Sequence, residues 1–162
     1  MDNPGLIVLV VVLVAATGFG LWRRRTDGRL RVVPAAADPV AAAEGSGRRP
    51  IFPASDLGIG LGERASLVQF STAFCQPCRA TRRVLSEVAD LVDGVVAVEV
   101  DAEAHLDLVR QWDVMRTPTV FVLDASGAVV RRAVGQPRKA DVIAAIGALD
   151  GARAPDRPVS ET

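Results

Sequence analysis

LVQFSTAFCQPCR, residues 67–79, decides the fold of this chain. Its first half belongs to an uncharged run, Ser66–Ser71 (SLVQFS), that reads as a buried strand. Past the cysteines, Val84, Leu85, Val88 and Leu91 keep helical spacing up to Gly94. The segment between is Cys75-Gln76-Pro77-Cys78, and it holds the only two cysteines in 162 residues. Two thiols three positions apart can close into a disulfide and reopen, which is the chemistry of a dithiol redox catalyst. Two other readings share the pattern. An inert, buried cysteine pair needs no chemistry, and a zinc or copper site needs more ligands than the single histidine, His105, can add.

Outward from this segment the chain alternates. Val95–Val100 (VVAVEV) is β-branched and reads as a central strand. Leu106, Val109 and Trp112 mark a second helix. Thr119–Leu123 and Ala128–Val134 read as strands joined by a hairpin loop, Asp124-Ala125-Ser126-Gly127. Val142, Ile143, Ile146 and Leu149 share one face of a last helix. The order β, α, β, α, β, β, α predicts an α/β domain over residues 51–150, a mixed central sheet with helices on both faces. Ile51-Phe52 is expected as a short edge strand. Gly58, Gly60 and Gly62 read as loop, because no strand-to-helix switch follows them.

Upstream lies a different kind of sequence. Leu6–Trp22 is apolar and uncharged. As a helix it covers roughly 25 Å, close to the hydrocarbon thickness of about 30 Å. The residues before it include Asp2 and no Lys or Arg, and Arg23-Arg24-Arg25 follow it where a signal-peptide cleavage site belongs. Residues 1–22 are therefore expected to form one uncleaved transmembrane helix, with membrane lipid as its partner. The positive-inside rule places Arg23, Arg24, Arg25, Arg29 and Arg31, and the domain after them, in the cytoplasm; an extracytoplasmic domain is the alternative. Residues 23–50 read as a basic, Ala/Pro-rich linker, and 151–162 as a disordered tail.

Composition narrows the rest. Nineteen basic residues balance nineteen acidic ones, so nothing favours nucleic acid as a partner. Lys139 is the sole lysine among many arginines, alanines and valines, a usage that suggests a GC-rich bacterial genome.

LVQFSTAFCQPCR resembles the active-site segment of thioredoxins, in which a buried strand runs into an aromatic residue, Cys-x-Pro-Cys and a basic residue. Thr117-Pro118-Thr119 resembles the cis-proline loop of that family, and Gly127 and Gly135 bracket the last strand as its glycines do. The resemblance covers about residues 51–150. It implies a thioredoxin-like fold and a membrane-anchored thiol:disulfide oxidoreductase. Cys75 is then the nucleophile and Cys78 the resolving thiol, while Thr117 and Pro118 hold the substrate. The implied partners are a disulfide-containing protein or small thiol substrate and a dithiol electron donor, with no cofactor and no metal. Elementary physics agrees. Cys75 precedes a helix whose unpaired N–H groups favour an anion, Pro77 suits the first turn, and Arg79 adds positive potential. Each lowers the thiol pKa below the free value of about 8.5.

Three departures from the family stand out. Gln69 replaces the buried acid six residues before the first cysteine, Phe74 replaces a tryptophan, and Gln76 replaces a glycine. Gln69 cannot titrate, which keeps a second function open: a thioredoxin-fold binding or adaptor module with little turnover.

Overall fold

The computed structural model describes residues 4–33, 49–55, 58 and 60–153. Five strands form one mixed sheet: β1 (Arg31–Val32), β2 (Ala65–Ser71), β3 (Val95–Asp101), β4 (Thr119–Asp124) and β5 (Val129–Val134). Their order across the sheet is β1-β5-β4-β2-β3. Only β2 and β3 run parallel; β2 with β4, β4 with β5 and β5 with β1 are antiparallel. The helices are α1 (Pro4–Thr26), α2 (Gln76–Leu91), α3 (Leu106–Gln111) and α4 (Lys139–Arg153). From β2 onward this is the expected order of elements, with helices on both faces.

Strand β2 lies inside the sheet, between β4 and β3, and all seven of its residues are buried. Its side chains alternate between two cores. Ala65 and Leu67 join Leu85 and Val88 of α2 and Val142 and Ile146 of α4 on one face. Val68 and Phe70 join Phe52, Phe121 and Leu108 of α3 on the other. Four of the seven aromatic residues gather there. Phe52, Phe70, Trp112 and Phe121 have ring centroids 5.3–6.2 Å apart in tilted and edge-on pairs. The second helix is anchored by Leu108, whereas Leu106 is 53% exposed. With only six residues, α3 is too short for spacing alone to tell which leucine turns inward.

Two differences from expectation lie at the β5 edge. Within residues 23–50, which read as linker, Arg31 and Val32 pair with Arg132 and Arg131. A two-residue strand is too short to leave a period in the sequence. Ile51-Phe52, expected as an edge strand, makes a single bridge from Ile51 to Ala128, reinforced by Phe52 N–H donating to the Gly127 carbonyl at 2.9 Å. Two separate segments thus cover one strand edge. Residues 34–48 and the expected tail from 154 on lie outside the described residues, while α4 itself continues to Arg153.

Among the described residues, the Pro4–Trp22 part of α1 is exposed along its whole length. Pro4–Trp22 is long and apolar enough to cross a membrane, and its composition fits either a membrane span or a signal sequence.

Candidate active site

The site begins at the end of β2. Thr72–Phe74 carry the chain from the C-terminal end of β2 to Cys75, which caps α2 from an extended conformation. Cys78 N–H donates to Cys75 Sγ at 3.1 Å, so the sulfur occupies the position that a serine or aspartate oxygen takes at other helix starts. Pro77 occupies the first turn, where its missing N–H leaves no partner wanting. Cys75 and Cys78 are joined as a disulfide, with Cα atoms 5.2 Å apart. The two sulfurs differ in access. Cys75 is partly exposed, and Cys78 is buried at 1% exposure.

Gln69 lies under the pair. It is 1% exposed, and its Nε2 donates to the Cys78 carbonyl at 3.1 Å. Its Oε1 is buried with no partner among the described residues. Since a carboxylate cannot donate, only the amide can make this bond to the active-site helix.

The second half of the site comes from the loop before β4. The Thr117–Pro118 peptide is cis. Phe70 pairs with Thr119, which sets this loop beside the chain leading to Cys75, and Thr72 Oγ1 and Thr117 Oγ1 lie 3.3 Å apart in a hydrogen bond. The Pro118 carbonyl accepts from Gly135 N–H at 2.8 Å, fixing the loop to the end of β5. Gly127 and Gly135 both have positive φ, 83° and 93°.

The structure thus joins Gln69 to the Cys75–Cys78 pair through the Cys78 carbonyl, and ties Thr117, next to Pro118, to Thr72 three residues before Cys75. Phe74, Gln76, Pro77 and Arg79 face outward, with Phe74 96% exposed. Two neighbours escaped the sequence reading. Thr72 holds the cis-proline loop, and Met115, 83% exposed, precedes that loop by two residues. Their sequence signal was adjacency to the two motifs, since neither residue type marks a redox site by itself.

A disulfide closing the first turn of a helix, beside a cis-proline loop on a central mixed sheet, defines the class of thioredoxin-fold proteins. The thioredoxin family model matches residues 59–148, and this chain belongs to the thioredoxin family. It is 32% identical to thioredoxin H4-1 of Oryza sativa subsp. japonica over 69 residues, 43% of this chain and 52% of that one. It is 31% identical to the thioredoxin of Alicyclobacillus acidocaldarius subsp. acidocaldarius over 80 residues, 48% of this chain and 75% of that one. The chain thus spans about half the length of the rice relative. Among solved structures, chloroplastic thioredoxin z shares the fold with a TM-score of 0.50 at 23% identity, over 55% of this chain and 80% of that one. Thioredoxin-2, described as a component of malaria parasite protein secretion machinery, gives 0.50 at 20% identity, over 56% and 88%.

Proposed function

We propose that this protein is a membrane-anchored thiol:disulfide oxidoreductase that works through Cys75 and Cys78. The observation that carries the reading is the asymmetry of the pair: an accessible sulfur at a helix start, and a buried one a turn away. In the reduced protein the α2 N-terminus and the Cys78 N–H favour a thiolate at Cys75. That thiolate attacks a substrate disulfide and forms a mixed disulfide. The departing substrate sulfur takes up a proton. Cys78, as thiolate, then attacks Cys75 Sγ, which frees the second substrate thiol and closes the Cys75–Cys78 disulfide. Two electrons pass from the protein dithiol to the substrate, and a dithiol donor restores them. Thr117 and Pro118 present the edge along which an extended substrate peptide lies, with Phe74 as apolar contact. Helix α1 supplies the anchor to a bacterial cell membrane, and the arginines after it favour a cytoplasmic domain.

Gln69 supports a second reading, a binding module with little turnover. A buried amide cannot accept the Cys78 proton, so the resolving step relies on water or another base. Insulin reduction with dithiothreitol as donor separates the two. The oxidoreductase turns over insulin well above a Cys75→Ser control; equal rates for both would leave the binding module.

A further inference from the structure

A cavity of about 1100 Å³ opens between the β5 edge and α3. Five arginines and two aspartates line it, a formal excess of three positive charges. Arg29 and Arg31 belong to the basic segment after α1, where the positive-inside rule already accounts for them. Arg110, Arg116 and Arg132 do not; they come from the globular domain, at the end of α3, before the cis-proline and in β5. No topology rule draws them to this wall.

The arrangement is costly as it stands. Arg31 lies directly opposite Arg132 in the β1–β5 register, and like charges facing across strands repel. Arg132 donates from Nη2 to the Asp113 carbonyl at 2.6 Å and stacks over the Phe121 ring at 5.3 Å. Among the described residues its buried Nε has no acceptor, and neither has Trp112 Nε1 on the same cavity. Burial lowers the Arg132 pKa from its ordinary value, and the nearby Asp113 carboxylate only partly opposes that shift. Among the described residues Arg116 pairs with Asp27, while Arg31, Arg110 and Arg132 form no ion pair.

Convergent guanidinium groups with spare N–H donors match a phosphate, which accepts several hydrogen bonds at once. Thr26, the last residue of α1, and Asp27 also line the cavity, so it opens where that helix ends. We propose that this cavity binds the phosphate of an anionic phospholipid headgroup in the membrane that α1 crosses. The site holds the domain against the bilayer surface, close to the loop that carries Thr117 and Pro118. The inference rests on the membrane-anchored reading of α1, and that reading is checked separately by whether the protein enters lipid nanodiscs at all.

The test uses the full chain carrying Trp22→Phe, which leaves Trp112 as the only tryptophan. Trp112 emission is followed in nanodiscs of phosphatidylcholine with a rising fraction of phosphatidylglycerol. A parallel series adds inorganic phosphate to pure phosphatidylcholine discs at constant ionic strength. The proposal expects a saturable emission change with phosphatidylglycerol. Arg31→Gln and Arg110→Gln should each require about fivefold more of that lipid, the usual contribution of one basic residue at an anionic surface. Arg83→Gln, a charge loss at an exposed α2 position outside the cavity, should leave the curve unchanged. Equal weakening by Arg83→Gln would reduce the effect to general surface charge and overturn the site. So would a flat response in an intact nanodisc complex. Saturation by inorganic phosphate with no further effect of phosphatidylglycerol would assign the cavity to a soluble phosphate and overturn the lipid proposal.

Discussion

Gln69 is the residue on which the chemistry turns. Its amide donates to the Cys78 carbonyl, and truncation to alanine removes that buried side-chain donor. Gln69→Ala should lower unfolding stability by about 1–3 kcal/mol, measured by denaturant titration of the oxidised protein. Gln69→Asp asks a different question. A buried carboxyl is disfavoured as an anion, so its pKa rises, and it would titrate nearer neutrality than a free aspartate. The variant should add an ionisation to the pH profile of mixed-disulfide resolution, with the rate rising as the carboxyl loses its proton. An unchanged profile would mean that this position does not reach the Cys78 proton. The Cys-Gln-Pro-Cys motif and Thr117-Pro118 were legible because each is a local string with a local physical meaning. The role of Gln69 was legible only as a departure from a resemblance. Its bond to Cys78 joins a strand to a helix and depends on packing that no spacing rule supplies.

Among the elements, α2 and β1 behave differently. Apolar periodicity placed α2 correctly, and its grip on the sheet is Leu85 and Val88, at 2% and 0% exposure. Leu85→Ala should cost about 2–5 kcal/mol by the same denaturant measurement. At the opposite edge, β1 is held by backbone bonds and a tight turn. Gly28 has φ 77°, and a Cβ there would lie 1.8 Å from the Gln136 carbonyl oxygen. Gly28→Ala should therefore free residues 26–33 from β5 and speed amide exchange there, while Val68 and Phe70 in β2 stay protected. The Asp27–Arg116 pair on the same segment is about 40% exposed on both sides, so Arg116→Ala should change stability by less than about 1 kcal/mol. Elements with a long apolar period were readable in the sequence. The short edge strand was not, because two residues carry no period and its partner lies about a hundred positions away.

Across the whole molecule, the exposed apolar stretch Pro4–Trp22 and the thioredoxin-family domain at 59–148 stand at opposite ends of the sequence. The apolar stretch is legible in composition, and the domain in its element order and motifs. The arginine-lined cavity is not, since its charges are scattered from Arg29 to Arg132 and meet only once β5 is paired on both edges. Orientation has a direct check. In a Cys75→Ser/Cys78→Ser background, a Ser126→Cys thiol in the exposed β4–β5 turn should resist a membrane-impermeant maleimide in intact cells; labelling would place the domain outside. The central claim is that Cys75–Cys78 is a working redox couple and not a structural bond. Equilibrating the protein against defined thiol–disulfide buffers, then counting alkylated cysteines by mass, tests it most directly. The pair should convert reversibly in one two-electron step at a potential between about −270 and −120 mV, the span of dithiol catalysts. A bond that stays closed below about −300 mV, as structural disulfides do, would contradict the account.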